Sequence, residues 1–99
     1  MRNKLFKVLE SVIKDLNDEL EYDSLRNIQN ETPIFSGEFS IDSISLAILI
    51  GDFEMSIREQ LGLKVILADE KAMSRKNSPY KTVGTLLDFT LERLEGGNA

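Results

Sequence analysis

A chain of 99 residues, 41% hydrophobic and 29% charged, is long enough for one small folded domain and too apolar to be disordered. It has no cysteine and no histidine, which excludes disulfides, thiolate nucleophiles, the usual zinc sites and the commonest general base. The net charge of −5 is concentrated in residues 19–62, which carry nine acidic and two basic groups; such a middle disfavours nucleic acid and anionic membrane and favours basic protein partners.

Leu5, Val8, Leu9, Val12, Ile13 and Leu16 recur at three- and four-residue spacing and predict an amphipathic helix over roughly 3–18. The stretch that contains it, "MRNKLFKVLESVIKD", is charged throughout and does not read as a signal peptide, so a cytoplasmic location is expected. No uncharged run is long enough to span a bilayer. Residues 17–38 are polar, acidic and without sustained periodicity, and read as a long connection that Leu25 and Ile28 pin to the core. "NDELEYD" lacks the ligand spacing of a calcium loop, and no metal site is expected.

The second helix has the clearest signals. Asp42 is a good N-cap, Leu46, Leu49, Ile50, Phe53, Ile57 and Leu61 hold the helical period, and Gly62 is placed to end it. "DEKAMSR" at 69–75 predicts a short third helix with Ala72 and Met73 facing inward. "KNSPYK" reads as a polar loop, and the Ser74–Lys81 region that contains it is expected to tolerate shortening. The last helix begins near Thr82 and buries Val83, Leu86, Leu87, Thr90 and Leu94. No segment alternates long enough to argue for a sheet. The expected fold is therefore all-α, four helices around one core, with residues 1–95 as a single domain and 96–99 as a flexible tail.

Ser43 stands directly after the cap, at the start of that helix. Serine near a helix N-terminus commonly does no more than satisfy backbone N–H groups. A hydrolytic nucleophile is disfavoured: there is no histidine to activate it and no G-x-S-x-G elbow. A third reading uses more of the chain. "IDSI", opening a helix after a long loop in a small acidic helical protein, resembles the attachment site of acyl carrier proteins. "ETPIFSGEFSIDSI" resembles that family's approach loop, with Ile34 or Phe35 as its hydrophobic anchor. Leu49, Phe53 and Ile57 fall where its second helix has core residues, and "KTVGTLLDF" resembles its last helix. The likeness runs from Leu5 to Leu94.

The resemblance implies a four-helix bundle of acyl-carrier type that carries rather than catalyses. It implies that Ser43 bears a covalent 4′-phosphopantetheine derived from coenzyme A. Asp42 would be the acidic neighbour used by the phosphopantetheinyl transferase, and Ile44 would dock on partner enzymes. Fatty acid, specialised lipid or secondary-metabolite intermediates would ride the arm as thioesters and be delivered to partner enzymes, acyl- or aminoacyl-transferring synthases or ligases. Aminoacyl, peptidyl and polyketide carriers share the same arm and remain alternatives. So does a four-helix interaction module with no prosthetic group. A DNA-binding helical domain is the weakest candidate, since the only basic cluster falls in a loop. The expected state is a monomer.

The sequence departs from the family in two places. At about 100° per residue, Ile44, Ile48, Gly51 and Met55 share one side of the second helix, opposite its core residues. Asp52 and Glu59 lie beside this stripe. By alignment with the family, Ser45, Ile48 and Met55 occupy positions that are often acidic. The stripe is expected to be a partner surface, the alternative being that residues 20–38 fold over it. The second departure is "SRKNSPY", which lengthens the segment before the last helix. Lys71, Arg75, Lys76 and Lys81 make that region basic, as a solvated loop often is.

Overall fold

The spacing of Leu5, Val8, Leu9, Val12 and Ile13 gives helix α1, Arg2–Leu20, with those five side chains buried along one stripe. The structure, a computed structural model, describes residues 1–37, 39–68 and 79–96. α1 ends in a left-handed residue, Glu21, whose N–H donates to Asn17 O at 2.8 Å. The buried Asn17 amide then takes over as a cap. Its Oδ1 accepts from Tyr22 N–H at 2.8 Å and its Nδ2 donates to Tyr22 O at 2.9 Å. A local motif built on one asparagine thus closes the helix two residues beyond the expected end.

The long connection follows. A 3-10 turn, Asp23–Leu25, buries Leu25, and Ile28 is buried beyond it, as the sequence suggests. Of the two candidate anchors, Ile34 is buried and Phe35 is half-buried. Backbone bonds stitch this loop to the start of the last helix. Ile34 N–H and Phe35 N–H donate to Lys81 O at 2.7 and 3.1 Å, Val83 N–H to Thr32 O at 3.0 Å, and Gly84 N–H to Asn30 O at 2.8 Å. Pro33 with Thr82 and Phe35 with Ser40 form isolated bridges, and no strand develops among the described residues.

Helix α2 spans Ser43–Leu61 and stops at Gly62, whose φ of 67° is the left-handed geometry that favours glycine there. Helix α3 spans Val83–Gly96. Its N-terminus is closed by a reciprocal pair: Thr85 Oγ1 accepts from Thr82 N–H at 2.9 Å, and Thr82 Oγ1 accepts from Thr85 N–H at 3.1 Å. α1 packs against both α2 and α3. The shared core joins Leu5, Leu9 and Ile13 to Leu46, Phe53 and Ile57 and to Val83, Leu86 and Leu87. Thr90 is buried as expected, its hydroxyl donating to Leu86 O at 2.7 Å. Leu94 is half-buried.

The described residues are therefore all-helical, with three α-helices. The short helix expected over 69–75, the basic residues Lys71, Arg75 and Lys76, and residues 97–99 of the tail expected over 96–99 lie outside the described residues; Gly96, expected in that tail, is instead the last residue of α3. One expectation is corrected. Tyr80, read as part of a tolerant polar loop, is fully buried, and Lys81 lends its carbonyl to two amides of the long connection. The loop's C-terminal end is thus part of the core.

Gly84 is fixed by close approach. A Cβ there would lie 2.9 Å from Asn30 O, a backbone atom already bound to the Gly84 amide. Gly84→Ala is therefore expected to destabilise the chain by about 1–3 kcal/mol despite alanine's better helix propensity, as overpacking does. Urea denaturation of the two proteins measures this.

Candidate functional site at the start of α2

Asp42 sits at the N-cap of α2 in extended backbone (φ −72°, ψ 165°), and its Oδ1 accepts from Ser45 N–H at 2.7 Å. That amide, joined by the Ser45 hydroxyl, holds the Asp42 carboxyl below the ordinary value of 3.8, against a smaller opposing effect of burial. Ser43 is the first helical residue and is exposed. Its hydroxyl makes no hydrogen bond among the described residues. The capping role open to either residue falls to Asp42, and Ser43 is left with a free, accessible hydroxyl.

The approach to this pair is tied down locally. Ser36 N–H donates to Phe39 O at 2.9 Å, and Phe39 meets Tyr22 edge-on with ring centroids 5.0 Å apart. Ile41 is buried just before the cap and donates its N–H to Ile34 O at 3.0 Å. The chain enters α2 from a fixed point, which sets where the Ser43 hydroxyl emerges.

The stripe is open. Ile44, Ile48 and Met55 are 75%, 48% and 61% exposed, and Gly51 is exposed between them. The described residues of the long connection, 20–37, leave Ile48 and Met55 exposed. Asp52 and Glu59 are exposed beside the stripe. Ser45 does not join it; it is buried under the cap. Alongside runs an open groove of about 280 Å³, with Gly51, Met55 and Arg58 on the α2 side and Lys64, Val65 and Ile66 across from them.

Two functional candidates escaped the sequence. The Glu54 carboxylate accepts from the backbone N–H groups of Leu67 and, at 2.9 Å, of Ala68. The Tyr80 hydroxyl donates to Leu67 O, and its ring packs edge-on against Phe89. Nothing in the pattern signals Glu54. For Tyr80 the signal exists: residues 80, 83, 87, 90 and 94 continue the helical spacing of α3 backwards.

Among the described residues no group of three acidic side chains could hold a metal ion, and no helix is long and apolar enough to cross a membrane. No family model, no curated protein and no solved structure matches this chain.

Proposed function

We propose that this chain is a carrier protein whose Ser43 bears a 4′-phosphopantetheine arm on its hydroxyl. One observation carries the reading: at the Asp-Ser pair, Asp42 does the capping while the Ser43 hydroxyl is exposed and, among the described residues, makes no hydrogen bond. A serine so placed contributes little to folding and is open to an enzyme. A phosphodiester on Ser43 meets the positive end of α2, where negative charge is favoured. When bound, the arm supplies a terminal thiol, which this cysteine-free chain lacks, to hold an acyl group as a thioester.

Asp42, kept ionised by Ser45, is the acidic neighbour that the phosphopantetheinyl transferase uses. The same reading takes the fold to be a four-helix bundle of acyl-carrier type. The partners are synthases or ligases that load and unload the arm, the cargo being an acyl, aminoacyl or polyketide intermediate, and the protein acts as a cytoplasmic monomer. Tethering supplies effective concentration, so each encounter can be weak.

The face formed by Ile44, Ile48, Gly51 and Met55 is the surface those partners meet. It begins one residue from Ser43, so an enzyme that receives the arm comes close to it. Burying such side chains against a partner contributes about 1.5–3 kcal/mol each at full desolvation. Ile48→Glu and Met55→Glu are expected to leave the melting curve unchanged, since both side chains are exposed. They are expected to slow transfer by the native partner. Loss of folding in either variant would remove the stripe from consideration as a surface.

Loading tests the reading itself. Incubation with coenzyme A and a broad-specificity phosphopantetheinyl transferase is expected to add one phosphopantetheine to the wild-type chain and none to Ser43→Ala. Failure of the wild type with several transferases would favour an interaction module without a prosthetic group.

A further inference from the structure

Residues 63–68 follow α2 beyond Gly62 without regular secondary structure. Leu63 and Val65 are half-buried and Leu67 is fully buried, while Lys64, Ile66 and Ala68 between them are exposed. This is the alternation of a strand with one face on the core. Yet no neighbouring strand pairs with it among the described residues. Its hydrogen bonds are correspondingly few. Among the described residues, the segment is held by three bonds, all at its far end: Glu54 accepts from Leu67 N–H and Ala68 N–H, and Tyr80 donates to Leu67 O.

The Leu67 peptide is thus gripped on both edges by side chains from different parts of the chain. Glu54 reaches from the middle of α2, and Tyr80 stands just ahead of α3. One grip is charge-assisted, the stronger kind. Away from that latch the segment relies on two half-buried apolar side chains, Leu63 and Val65, and, among the described residues, on no backbone ladder. Segments with few backbone bonds to their neighbours open at free energies below that of global unfolding. Val65 and Ile66 also form the outer wall of the groove beside the α2 stripe. Moving the segment would widen that groove.

We propose that residues 63–68 are a strap latched by Glu54 and Tyr80, and that the strap opens as a unit while the three helices stay folded. When it opens, Leu67 leaves the core and the groove between α2 and the strap deepens toward the interior. The strap is a gate in the wall nearest the exposed stripe. This holds whether or not Ser43 carries an arm.

Native-state hydrogen exchange of the unmodified full chain tests the strap. In the wild type, the Leu67 and Ala68 amides are expected to exchange through an opening insensitive to low urea. The core amides of α1, α2 and α3 are expected to follow the urea dependence of global unfolding. In Glu54→Ala those two amides lose their acceptor and are expected to exchange at least about tenfold faster with helix protection retained, a factor that corresponds to ~1.4 kcal/mol of local opening. Tyr80→Phe is expected to act in the same direction. Leu67 and Ala68 amides that share the urea dependence of the helices in the wild type would overturn the proposal. So would unchanged exchange at Leu67 and Ala68 in a folded Glu54→Ala variant. The wild-type measurement decides even if a variant fails to fold.

Discussion

Tyr80→Ala is expected to lower stability by about 3–5 kcal/mol, the range for truncating a fully buried aromatic side chain. Domains of this size are stable by roughly 5–15 kcal/mol, so the loss is a large fraction of the total and the melting temperature is expected to fall steeply. Tyr80 is completely buried, meets Phe89 with ring centroids 5.9 Å apart, and satisfies Leu67 O. Truncation would remove all three contributions. Tyr80→Phe keeps the ring and leaves Leu67 O without its donor, at a cost of about 1–3 kcal/mol. Thermal melts followed by circular dichroism separate the two. A Tyr80→Ala melt that overlays the wild type would mean that Tyr80 is not in the core.

The second large effect is chemical. Ser43→Ala is expected to abolish attachment of phosphopantetheine completely and to leave the melting temperature unchanged, because among the described residues the Ser43 hydroxyl makes no hydrogen bond that alanine would lose. Asp42→Ala is expected to do the reverse in part. It removes the acceptor of Ser45 N–H, lowers the melting temperature and slows attachment. The pH dependence distinguishes the two residues further. The Asp42 carboxyl is held below its ordinary 3.8 in the folded chain, so the unfolded chain binds the proton more readily. The stability that Asp42 contributes is present above that ordinary value and is lost as the pH falls through the lowered value of the folded state. The gap between wild type and Asp42→Ala in urea denaturation should therefore be wide at neutral pH and close on acidification below about pH 4. A gap independent of pH would assign the effect to the backbone instead of the carboxylate.

The helices were legible because their signals are local. Three- and four-residue spacing located α1, α2 and α3, and Asp42 and Gly62 marked the ends of α2 by cap chemistry and backbone geometry. The Asp-Ser pair was legible for the same reason: the cap and the free hydroxyl follow from adjacent residues. What was missed depends on distant partners. Tyr80 sits among polar residues that mask its place in the α3 spacing, and its contacts with Phe89 and Leu67 are tertiary. Glu54 looks like an ordinary helix-surface acid until residues 67 and 68 return to it. The alternation of Leu63, Val65 and Leu67 was too short to argue for a sheet, and the segment has no pairing strand among the described residues. Gly84 carries no local sign that Asn30 O lies against it. The stripe on α2 was visible as periodicity, but whether the long connection covers it was a tertiary question, and the exposure of Ile48 and Met55 answers it.

The central claim is that Ser43 carries the arm, and intact-protein mass spectrometry of the chain purified from its own host tests it most directly. The expected result is a species heavier by one phosphopantetheine, alone or with its cargo. Peptide fragmentation is expected to place the addition on Ser43, not on the neighbouring Ser40 or Ser45. A homogeneous unmodified mass from growing cells, or an addition that maps to any other residue, would contradict the account.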